Sequence, residues 1–192
     1  MAAGTIILLN GASSSGKTSI VKALQHASIE PFLDAGLDRF LWMLPGRYLE
    51  RPLWDDVLGS ATVAGATGHR LVRGMHRAIA ELSRAGNHVV ADHVLVEAEW
   101  VIDAASVLGN LPAWLIGVHC PLEVLEAREK DRADRTLGQA RAQFDLVHRH
   151  AVYDFEVDTS AMTPEACVAA ILSTLRRGSP SALSRLRRQM PG

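Results

Sequence analysis

The stretch Gly11 to Thr18, GASSSGKT, meets every fixed position of the phosphate-loop pattern GxxxxGK(S/T), and few short runs restrict a chain's fold as severely. The pattern carries meaning only between a buried strand and a helix, and both flanks are present. Thr5 to Asn10 (TIILLN) is a short apolar run bounded by turn formers, and Thr18 to His26 (TSIVKALQH) has helical periodicity. In that setting the successive amides of Ala12, Ser13, Ser14, Ser15 and Gly16 form an anion-binding nest at the positive end of a helix dipole. Gly11 and Gly16 permit the tight backbone. Lys17 is expected to bridge β- and γ-phosphate oxygens, and the Thr18 hydroxyl to ligate Mg²⁺. A chance glycine-serine turn would need neither the Lys-Thr ending nor these flanks.

Beyond the loop, apolar runs at EPFLD (Glu30 to Asp34), HVVAD (His88 to Asp92), AWLIGVH (Ala113 to His119) and FEVD (Phe155 to Asp158) alternate with helical patterns. That alternation argues for right-handed crossovers and a parallel sheet, hence an α/β fold of the three-layer P-loop NTPase kind. With 192 residues, 48% of them apolar, the chain suits one domain. We place a kinase domain over 1–178 with a helical lid near 128–140. The segment 179–192, with three arginines and no acid, reads as disorder or a weak amphipathic helix. A net charge of −1 gives no general attraction to nucleic acid or anionic membrane. No apolar run reaches the roughly 18 residues needed to span a bilayer. Two cysteines, Cys120 and Cys167, and an N-terminus without leader features predict a cytoplasmic protein with reduced thiols.

Two acids and three arginines complete the candidate machinery. Asp38 follows the second strand and precedes RFLWML, which places it at or near a helix N-cap beside a strand end, where open α/β sheets bind ligands. From spacing alone it is as readily a cap as a general base. Asp92 ends the third strand as a Walker B-like acid, suited to holding Mg²⁺ or orienting an acceptor. Arg128, Arg132 and Arg135 recur at helical spacing in AREKDRADR, either as a solvated face or as lid residues, with Arg128 on nucleotide and the other two on the transferring phosphoryl. The irregular stretch from Gly46 to Gly68 is the expected acceptor-binding insertion. His148 and His150 lack a third ligand at suitable spacing, so no metal is assigned to them.

With these pieces named, the sequence resembles the chloramphenicol phosphotransferase family, small P-loop kinases that phosphorylate an antibiotic hydroxyl. The resemblance rests on IILLNGASSSGKTSIVKALQ, LDAGLDRFLWMLP around Asp38, VVADHV at Asp92, AREKDRADR and VYDFEVDTS. It implies five parallel strands, ATP and Mg²⁺, a hydroxylated small-molecule acceptor, and a catalytic aspartate at the position of Asp38. Gly46 to Gly68 matches no family pattern, which leaves the acceptor open. A nucleotide or metabolite kinase of the same fold is the alternative, with Arg39, Arg47 and Arg51 as cations for a nucleotide acceptor. Outside enzymes the alternative is a nucleotide-dependent switch, for which the guanine-reading NKxD motif is missing.

Overall fold

The protein is described by a computed structural model covering residues 2–50, 52–58, 63–131, 138–149 and 152–189. The chain begins with β1 (Ile6–Asn10), whose five residues are all buried, and the phosphate loop leads directly into α1 (Lys17–Ala27). There follow β2 (Phe32–Asp34), the short α2 (Leu37–Leu41), the long α3 (Ala66–Arg84), β3 (His88–His93) and α4 (Ala98–Leu108). Then come β4 (Ala113–His119), α5 (Leu122–Lys130), α6 (Gln139–Phe144), β5 (Phe155–Asp158), α7 (Pro164–Arg177) and α8 (Ala182–Gln189).

All pairings are parallel, in the order β2-β3-β1-β4-β5. The five expected strands are therefore present, and the three-residue β2 lies at the sheet edge. Because β1 is central and the chain winds outward from it in both directions, its C-terminal end is the switch point of the sheet, where a crevice opens. Alternation along β1 divides the core into two layers. Ile6 and Leu8 face α3, α4 and α8 through Val72, Met75, Ile79, Trp100, Ala104 and Leu183. Ile7 and Leu9 face α1 and α7 through Ile20, Val21, Leu24, Val168 and Ile171.

The C-terminal segment takes the amphipathic-helix form. Ala182 and Leu183 of α8 are buried, and α8 packs on α4 and β4. Asp154 secures this arrangement: one carboxylate oxygen accepts the backbone N–H groups of Ser181 and Ala182 at 2.7 and 2.8 Å, and the other accepts Leu115 N–H at 2.9 Å. One partly buried acid thus ties the last helix to the sheet. α6 starts at Gln139, directly after Gly138, whose φ of 92° interrupts helical geometry.

Candidate active site

The phosphate loop is shaped by two left-handed residues, Ser14 at φ 63° and Gly16 at φ 87°. Gly11 is glycine for another reason: a Cβ there would sit 2.5 Å from the Val118 carbonyl oxygen and 2.7 Å from Ser15 Oγ. Gly16 is the N-cap of α1 and supplies no side-chain cap, so the first amides of the helix are left to the loop's concave side. The hydroxyls of Ser13, Ser14 and Ser15 are buried with no protein partner among the described residues, as suits a cradle for an oxygen-rich anion. Lys17 is buried, its ammonium donating to the carbonyls of Gly11 and Ala12 at 2.7 Å each.

Register brings the acid of β3 to this loop. Leu9 pairs with Asp92, so the Asp92 carboxylate lies beside the strand end from which the loop departs. Thr18 Oγ1 donates to Asp92 Oδ2 at 3.1 Å. Burial pushes the Asp92 carboxyl above the usual carboxylate range; Lys17 and Thr18 pull it back, while Asp38 adds to the rise. Two hard oxygen donors in this setting fit a Mg²⁺ ion, which would offset the desolvated charge.

Asp38 stands in the first turn of α2, whose N-cap is Gly36 with no side-chain cap bond. The turn before it is pinned by Asp34, which accepts the Gly36 N–H at 3.1 Å and pairs with Arg39 at 2.7 Å. Gly36 itself lies against the other acid, for a Cβ at this position would be 1.9 Å from Asp92 Oδ1. Glycine at this position leaves the Asp92 carboxylate in its place beside Thr18. Asp38, Asp92, Lys17, Thr18 and the three loop serines consequently line one cleft.

The rest of the cleft lining is largely apolar: Leu37, Leu41, Leu58, Val94, Val96 and Trp100, joined by Gln139 and Gln143 of α6. Of the Gly46 to Gly68 stretch, Leu58 alone reaches the cleft among the described residues. His93 joins this lining as a neutral ring. The Val94 N–H donates to His93 Nδ1 at 2.8 Å, so the His93 proton is on Nε2 and points to His76 Nε2 at 3.1 Å. His76 in turn carries its proton on Nδ1 and donates to Asp103 at 2.7 Å. Burial, reinforced by His76, holds the His93 imidazole well below its usual range. With both ring nitrogens engaged, His93 offers the cleft a flat carbon surface beside Trp100, whose ring centroid is 5.8 Å away.

A second groove lies on the α1 side of the loop, lined by Ser14, Gly16, Ser19, Ile20, Arg128, Asp131, Thr159, Met162 and Pro164. Arg128 forks onto Thr159, donating to its hydroxyl at 3.0 Å and its carbonyl at 2.8 Å, and the Thr159 hydroxyl donates to Ser15 O at 2.8 Å. Arg132 and Arg135 lie outside the described residues. Sequence reasoning missed Thr159, His93, Trp100, Gln139 and Gln143. Gln143 Oε1 accepts the Ser13 N–H at 2.7 Å across 130 positions of sequence, a contact no local pattern announces.

The sheet order, the phosphate loop and the strand-end acid define a P-loop kinase fold, and solved structures agree. The Mycobacterium tuberculosis APS kinase in complex with AMPPNP and APS matches with a TM-score of 0.66 at 16% identity, over 92% of this chain and 99% of that one. Shikimate kinase from Aquifex aeolicus matches with a TM-score of 0.60 at 19% identity, over 90% and 96%. A Mycobacterium tuberculosis protein named as an O-phosphotransferase is 36% identical over 204 aligned positions, covering 98% of this chain and 90% of that protein. The family model described as chloramphenicol phosphotransferase-like protein matches residues 4–176. This chain belongs to that family, and with it to the small-molecule kinases that carry out phosphotransfer.

Proposed function

We propose that the protein transfers the γ-phosphoryl group of ATP to a hydroxyl of a small molecule, with an antibiotic alcohol such as chloramphenicol the first acceptor class to examine. The observation that carries this reading is the meeting of Lys17, Thr18, Asp92 and Asp38 in one cleft whose remaining lining is largely apolar. The triphosphate is assigned to the loop amides, and the base end of the nucleotide to the groove bounded by Arg128, Thr159 and Pro164.

In this reading Asp38 orients the acceptor hydroxyl and takes its proton as the oxygen attacks phosphorus and the bond to the ADP oxygen breaks. Lys17 donates to oxygens on which charge accumulates between the β- and γ-positions, with Arg132 and Arg135 as further donors to the transferring group. Thr18 and Asp92 are the residues that would hold Mg²⁺, which when bound neutralises phosphate charge. The apolar wall keeps water from competing with the acceptor. The cytoplasm is the expected compartment, and no helix among the described residues is long and apolar enough to cross a membrane.

A nucleotide acceptor is less well served. Arg39 is committed to Asp34, and Arg47 lies over the Tyr48 ring at 5.2 Å. Neither lines the cleft, and Arg51 lies outside the described residues. The experiment is ADP release from MgATP with and without a panel of acceptors that includes chloramphenicol, other hydroxylated small molecules and nucleoside monophosphates. Release with a small-molecule alcohol supports the reading, release with nucleoside monophosphates alone redirects it to a nucleotide kinase, and MgATP binding with no release on any acceptor argues for a switch.

A further inference from the structure

Glu129, near the end of α5, is 3% exposed, and a buried carboxylate is costly unless its oxygens are satisfied. Both are. Oε2 accepts the Gly138 N–H at 2.7 Å and Oε1 accepts the Ala140 N–H at 2.9 Å, so the side chain closes the start of α6 onto α5. These are the two ends of the segment that carries Arg132 and Arg135. The outer face of the same joint has a weaker tie, the exposed Arg141 to Glu126 pair at 2.7 Å.

On its other side α6 is fastened to the phosphate loop. Gln143, one turn beyond Ala140, accepts the Ser13 N–H, and just past the helix the Val147 carbonyl accepts Asn10 Nδ2 at 2.7 Å. Asn10 is the last residue of β1, and its Oδ1 accepts the Leu95 N–H at 2.8 Å, which links the same point to the chain following Asp92. α6 is therefore a bracket with Glu129 at one end and the front of the phosphate loop at the other.

We propose that Glu129 is a positioning residue for phosphoryl transfer, acting through α6 and Gln143 to fix the Ala12-Ser13 peptide of the phosphate loop. The proposal rests on the phosphotransfer reading above. Loop amides stabilise developing charge only as far as they are aimed in advance, and a shift of about 1 Å in such groups is enough to slow a reaction substantially. Glu129 touches neither loop nor cleft, so its influence must pass through the bracket.

Glu129→Gln preserves shape but turns one acceptor into a donor that faces a backbone N–H. We expect kcat to fall by roughly tenfold, the effect of one hydrogen bond's worth of lost alignment, with KM for ATP nearly unchanged. In a double-mutant cycle with Gln143→Ala, the double variant should lose little more than Gln143→Ala alone, because both changes cut one path. Hydrogen exchange at residues 12–16 reads the coupling without any acceptor and should quicken in Glu129→Gln. A lowered melting temperature with unchanged kcat and unchanged loop exchange would reduce Glu129 to a structural staple and overturn the proposal, as would losses that multiply in the cycle. Absence of turnover in the wild-type protein, with the exchange coupling intact, would instead remove the phosphotransfer reading and leave the bracket standing.

Discussion

Lys17 and Gly36 show how single positions set the cleft's chemistry. Lys17→Ala removes the cation expected between β- and γ-phosphates, and turnover should drop on the order of 10²-fold or more. Thermal unfolding with and without MgATP checks the binding side: the wild type should be stabilised and the variant less so, while the unliganded melting temperatures stay close. Gly36→Ala places a methyl where Asp92 Oδ1 now lies, 1.9 Å away, so the carboxylate has to turn from Thr18. A loss of about tenfold in kcat is expected from that displacement, read in steady-state kinetics, with a well-folded protein by circular dichroism. His148 makes a pH prediction. Burial, then His119 stacked at 4.0 Å and the more distant Lys17, push its imidazole down to about 4, while its Nδ1 lies within hydrogen-bond distance of the Tyr153 hydroxyl, at 2.6 Å. The unfolded chain therefore takes up a proton that the folded chain refuses, so stability is full above the ordinary histidine value of about 6.5 and falls as pH drops from there toward 4. His148→Phe should flatten that decline in denaturant titrations run across the interval; an unchanged slope would assign the acid sensitivity elsewhere.

Helices and strands differ in how openly the sequence declares them. β1, β3 and β4 are short apolar runs that only a two-sided sheet can bury, so Ile6 to Asn10 and Ala113 to His119 were readable without neighbours. α8 was readable only as one of two alternatives, disorder or a weak amphipathic helix, because SALSRLRRQ has a small apolar face and acquires its order from Leu183 in the α4 interface and from the Asp154 carboxylate at its start. Leu183→Ala should cost roughly 2–5 kcal/mol of stability by equilibrium unfolding, as a buried leucine does, while a solvated tail would show no change. The arginines between α5 and α6 belong to the same level of organisation. Arg132→Ala and Arg135→Ala are each expected to lower kcat by about 10²-fold, by analogy with other phosphoryl-stabilising arginines. A change confined to KM for ATP would make them ground-state phosphate contacts.

For the whole molecule, the order β2-β3-β1-β4-β5 is what turns scattered motifs into a site. It sets the β1 exit beside the end of β3, joining the phosphate loop to Asp92, and lets the turn after β2 carry Asp38 over both. The loop, Asp92 and Asp38 were legible because each is tied to a strand end by a local pattern. The apolar wall of Trp100 and His93, and the Gln143 contact to Ser13, were not, since they arise where distant helices meet. The proposed phosphoryl transfer depends most on Asp38 acting as the base, and one substitution isolates that role. Asp38→Asn keeps size and polarity in the first turn of α2, so unfolding temperature and MgATP binding should match wild type. With an accepted alcohol, chloramphenicol first, its kcat should fall at least on the order of 10²-fold, because the amide cannot take the hydroxyl proton. Phosphate transfer by Asp38→Asn at the wild-type rate would contradict a base role for Asp38 and move the search for the base to Asp92.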